Sequence, residues 1–215
     1  MRLAGARWRV LVSTALSHRV VRPARRLQHA PLSEVPWGAE LTVDRTSTVP
    51  LAAAWWLAAR SPHSIIYLPL RQTPANCGVW SRKLDLVLLH HSLGFRPSRW
   101  KEVRARLGAG SPQTVRLPER PFPVFDRADH DRRYHREFRD LLRWDVAADT
   151  LFVTGSRLAF NLAGEELRML AEDVPALLAK DPTQFHTGTV QLCRNLRDRY
   201  DPTAQLRFEY CYDHR

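Results

Sequence analysis

Lysine is nearly missing from this chain. Of its 33 basic residues only Lys83, Lys101 and Lys180 are lysines, and the remainder are arginines. A bias toward GC-rich codons explains arginine in place of lysine, and the abundance of alanine and proline fits such a bias. It does not explain a net charge of +11 over only 22 acidic residues. That excess points to an anionic partner, of which nucleic acid is the commonest. Cysteine is scarce too. Cys77, Cys193 and Cys211 lie far apart with no CxxC pair, which excludes a disulfide framework and a zinc module. They read as small buried hydrophobes. No N-x-[ST] acceptor occurs, and both absences fit a reducing or organellar compartment. Long apolar runs are lacking as well: the longest, Val49 to Ala59, has 11 residues, well short of the ~20 that cross a bilayer. The phosphate-cradling, dinucleotide, zinc-protease and nucleophile-elbow signatures are all absent.

What is present suits a packed domain. Hydrophobic residues make up 44% of the 215, with seven Trp, eight Phe and five Tyr, enough for one generous domain or a domain plus an arm. No acidic residue precedes Glu34, while Arg2, Arg7, Arg9, Arg19, Arg22, Arg25 and Arg26 fall in the same stretch beside Ser13, Thr14 and Ser17. Residues 1–33 therefore read as a basic arm or an organelle-targeting segment, with a transit peptide and the mitochondrial matrix ahead of a bacterial cytoplasm. In an arm, Arg22, Arg25 and Arg26 would fork onto phosphates.

The rest reads as an α/β fold, a small mostly parallel sheet with crossover helices, followed by a more helical C-terminal part. Strands are expected over 40–43, 64–70, 84–89 and 113–117, with helices over 49–60, capped by Thr48, and around Trp100, Val103 and Leu107. This core, 34–117, ends at a Pro-rich linker, 118–126. Residues 127–215 then carry helices over 129–144, 164–172, 173–180 and 189–200 and a terminal strand over 205–212, packed on the core as one domain.

Two clusters suggest chemistry. In the expected helix 129–144, Arg132, Arg136, Arg139 and Arg143 fall at i, i+4, i+7 and i+11, a single stripe whose spacing suits a phosphate backbone. Trp80, Phe95, Trp100 and Trp144 lie near arginines in the chain, as base-stacking platforms do. His90 and His91 follow the apolar strand 84–89, where open sheets gather ligands, and with Asp85 they are the catalytic candidates. Asp131 and His135, spaced i, i+4, are the candidate metal pair. The resulting expectation is a non-catalytic RNA-associated or assembly protein, a ribonucleoprotein-type component without a named cofactor. The alternative is a metal-assisted hydrolase of a phosphate-bearing substrate around His90 and His91. A docking factor for a membrane complex would use the same basic surface.

Overall fold

The computed structural model describes residues 2–73, 82–132, 135, 137–181, 187–193 and 205–211. The chain opens with a hairpin, β1 (Arg7–Ala15) and β2 (His18–Pro23), closed by Leu16 and Ser17, both in left-handed backbone. Two consecutive positive φ values give the turn whose twist matches paired strands. A second hairpin follows, β3 (Leu32–Val35) and β4 (Gly38–Val43), and then helix α1 (Arg45–Ala58). Two strands, β5 (Ser64–Leu68) and β6 (Asp85–His90), lead to α2 (Trp100–Ala105) and β7 (Ser111–Arg116). The short α3 (Arg127–Arg132) precedes the hairpin β8 (Arg143–Ala147) and β9 (Thr150–Gly155). Helices α4 (Arg157–Glu172) and α5 (Val174–Lys180) and strands β10 (Thr187–Gln191) and β11 (Gln205–Tyr210) complete the order.

These strands form two sheets. The larger runs β7-β1-β2-β5-β6-β9-β8 and is mixed, with β2–β5 and β6–β9 parallel and the other neighbours antiparallel. The smaller runs β10-β11-β4-β3, with β11 parallel to β4. The α/β class expected from the sequence is the class observed, with two helices after Ser156, but the large sheet is mixed rather than small and mostly parallel. The apolar strands β5 and β6 sit at the centre of the large sheet, covered on both faces as their unbroken hydrophobic runs require. On one face Trp100 and Val103 of α2 pack with Ile65, Val87, Leu89 and Phe152. On the other, α1 and α4 join the two sheets through a continuous core. Trp55 is its keystone, edge-on to Phe160 and Phe208, with its indole N–H donated to the Phe160 carbonyl at 2.9 Å. No helix among the described residues is long and apolar enough to cross a membrane.

The structure corrects several local expectations. Residues 7–23, read as part of a basic arm, are interior strands of the large sheet, because Trp8 and Val10 alternate inward while Arg7 and Arg9 face water. The run 118–126 has no regular structure but ends no unit: β8 and β9 from beyond it join the same sheet as β5 and β6, and Phe122 is buried in the shared core. Helix α1 starts at Arg45 rather than Val49, because the Asp44 carboxylate caps the Ser47 amide at 2.8 Å and Thr48 lies inside the helix. Residues 189–191 belong to a strand with alternating burial rather than to a helix, and 194–200 lie outside the described residues.

Candidate anion-binding clefts

Asp85 opens β6, and its buried carboxylate gathers donors from three directions. The Tyr67 hydroxyl at 3.0 Å and the Arg71 Nε at 3.0 Å reach one oxygen, joined by an Arg104 terminal nitrogen at 3.3 Å. The other oxygen accepts the Arg71 backbone amide at 3.0 Å. The same Arg104 nitrogen also donates to the Ala148 carbonyl at 3.0 Å and the Thr150 hydroxyl at 3.3 Å, while the Trp100 indole N–H donates to Thr150 at 3.0 Å. Arg71 reaches on to Asp149 at 3.2 Å, whose second oxygen is held by Arg82 at 2.8 and 3.1 Å. Asp149 itself has positive φ, in the turn Ala148–Asp149 that closes the β8–β9 hairpin. A carboxylate buried alone would be costly, and here charge and hydrogen bonding satisfy it. Burial, then the charge and hydrogen bond of Asp85, push the Tyr67 phenol well above its ordinary range, so Tyr67 stays a donor. The hydrogen bond from Arg82 holds the Asp149 carboxyl below its usual value.

This network makes the floor of a cleft of about 410 Å³ at the carboxyl end of β5. Leu11 and Arg22, opposite one another in the β1–β2 register, line this cleft together with Arg104 and Leu107. Arg22 is tied to the carbonyls of Gly108 and Ala109, and its buried Nε has no partner. Arg26, which donates to Gln72, lines the cleft too. A second cleft of about 660 Å³ begins on the other side of Arg26, lined by Arg7, Trp8, Arg9, Arg25, Arg26, Leu27, Gln28, Thr46, Ser47 and Pro50. Among the described residues the two clefts are lined by seven arginines and a single carboxylate, that of Asp85.

Of the residues singled out from sequence, Arg22, Arg25 and Arg26 come together here. The others disperse. The expected arginine stripe does not form: α3 ends at Arg132, which lies 4.0 Å from Asp129, Arg139 is in an irregular run, and Arg143 opens β8. Arg136 lies outside the described residues. Beyond α3, Arg143 is drawn into the ladder opposite Thr154.

Asp85 does not converge with His90 and His91. Asp85 begins β6 and His90 ends it, about 17 Å along an extended strand. The two histidine rings lie 4.7 Å apart at the far end, and His90 Nδ1 accepts the Ser92 amide at 3.3 Å. Burial and then the neighbouring His91 hold His90 below its ordinary value. Asp131 lies 3.9 Å from Arg127, and His135 falls past the end of α3, so the helical spacing expected for a metal pair is not realised. Among the described residues no group of three His, Cys, Asp or Glu side chains is placed to hold a metal. Trp100 is fully buried and offers no stacking face, and Trp80 lies outside the described residues.

Tyr67, Arg71, Arg104, Arg7 and Arg9 were not legible as site residues. For Arg7 and Arg9 a signal existed: two arginines alternating with Trp8 and Val10 mark the exposed face of a strand. For the others none did, since sheet order alone brings β5, β6 and α2 to one place. In comparison with known proteins, no family model, no curated protein and no solved structure matches this chain.

Proposed function

We propose that this chain is a phosphate-binding, RNA-associated protein, of the kind found in ribonucleoprotein assemblies, and that it grips the backbone at the arginine clefts around Arg26. One observation carries the reading: among the described residues seven arginines line two adjoining clefts against one carboxylate, and that carboxylate is engaged in orienting Arg71 and Arg104. Guanidinium groups in a recess recognise phosphate bidentately and are less screened than those on an open surface. The mitochondrial matrix, proposed as its compartment, rests on the acid-free, hydroxyl-bearing composition of residues 1–33, which would act there as an uncleaved segment because β1 and β2 belong to the large sheet.

Anisotropy of a 3′-labelled single-stranded RNA, titrated with the protein across a salt series, tests the binding. Affinity is expected to fall linearly on a log–log plot, by about 0.7 per phosphate contacted. The double variant Arg22→Gln/Arg26→Gln should lower affinity about tenfold and flatten the slope by about one to two phosphates' worth. Equal affinity of variant and parent, or binding indifferent to salt, would refute the assignment.

A further inference from the structure

We infer that the second cleft, at the first turn of α1, is a site for a terminal phosphomonoester, such as the 5′-phosphate of an RNA or a mononucleotide. The inference deepens the phosphate-binding reading above and rests on it. Its first support is convergence. Arg7 and Arg9 project from the outer face of β1, with Trp8 between them turned into the core at 4% exposure. The bond from the Ala24 amide to the Arg9 carbonyl, 3.0 Å, keeps the chain after β2 alongside β1, and so brings Arg25 and Arg26 to the same recess. None of the four is ion-paired with any described residue; the one side-chain partner among them is Gln72, on Arg26.

The second support is the opposite wall. It is the first turn of a 14-residue helix, where the amides of Arg45 and Thr46 have no intrahelical acceptor. Ser47, on that wall, is 1% exposed, and its hydroxyl has no hydrogen-bond partner. The nearby acid, Asp44, is buried and does not line the cleft; its oxygens are taken by the Ser47 amide and the Thr46 hydroxyl, both at 2.8 Å. The recess is therefore cationic, and Ser47, among its lining residues, carries a buried hydroxyl with no partner among the described residues.

Charge then selects the ligand. A diester carries one negative charge on two free oxygens, whereas a monoester carries close to two on three, and four guanidinium groups match the second far better. Because Arg26 also lines the first cleft, a strand that begins with this phosphate is led directly into that cleft.

The experiment compares two 3′-labelled RNAs of one sequence, one bearing a 5′-phosphate and one a 5′-hydroxyl, with AMP and adenosine as competitors. The expected result is at least about tenfold preference for the 5′-phosphate, reduced to about one in Arg9→Gln/Arg25→Gln and diminished in Ser47→Ala. Arg120→Gln, an exposed arginine outside both clefts, controls for net charge and should keep the preference. AMP, and not adenosine, should displace the phosphorylated RNA. Tight binding of AMP with no RNA binding would keep the monoester site, name the free nucleotide as its ligand and overturn the RNA reading. Salt-dependent RNA binding indifferent to the 5′ end would overturn this inference while leaving that reading intact, and so would a preference that survives in the Arg9→Gln/Arg25→Gln variant.

Discussion

Asp85 decides where two cations stand. Its side chain is 3% exposed, and Arg71 and Arg104 approach it from solvent at 34% and 23% exposure. Replacing it with alanine leaves both guanidinium groups and the Tyr67 hydroxyl without their acceptor. After allowing for the arginines' access to water, the expected cost is about 2–3 kcal/mol, or roughly 4–12 °C in melting temperature for a chain of this length. Differential scanning fluorimetry measures it, and an unchanged transition would show that the carboxylate does not order the cleft. Tyr67 supplies a second readout. Its phenol pKa is raised in the fold, so its contribution to stability is complete below the ordinary phenol range and drains away as pH climbs beyond it. In Asp85→Asn the phenol should titrate at lower pH than in the parent, though still above its ordinary value because burial is the larger cause.

Among elements, the contact that matters most for the chain path is between α4 and the irregular run before α3. Gly164 lies on the buried face of α4, and a Cβ placed there would come within 2.3 Å of the Phe122 ring. Gly164→Ala should improve helix propensity by about 1 kcal/mol and lose about 1–3 kcal/mol to overpacking. The net effect in urea denaturation is expected to be destabilising, and Phe122→Leu in the same chain should recover part of the loss. The elements that could be read from sequence are those whose own pattern decides them. Unbroken apolar runs mark β5 and β6, and Trp100 with Val103 marks the buried side of α2. The 129–144 segment misled because arginines at helical spacing do not by themselves hold a helix, and the short α3 buries none of its side chains, meeting α4 through the His130–Glu165 pair at 2.9 Å. The basic cluster Arg22, Arg25 and Arg26 stood out in the sequence, but Arg71 and Arg104 did not, since both are placed by one carboxylate, Asp85 of β6, which neither of their own segments reveals.

At the scale of the whole molecule, the first hairpin is structural. β1 and β2 stand between β7 and β5, so a chain lacking residues 1–23 loses the ladder that joins the β7 edge to the rest of the large sheet, along with the buried Leu3, Trp8, Val10 and Val20. Such a truncation is expected to show no cooperative thermal transition; a retained transition would mean that the hairpin is dispensable. The same long reach governs the smaller sheet, where β11 pairs in parallel with β4, Gln205 facing Gly38 and Tyr210 facing Val43. A ribosome making this protein must translate past residue 210 before β4 meets its central neighbour. Until then Leu41 and Val43, fully buried in the finished core, travel on the nascent chain without that cover. Completion of this sheet therefore waits on a strand made more than 160 residues after β4, and the interval before closure is when the protein most needs a chaperone.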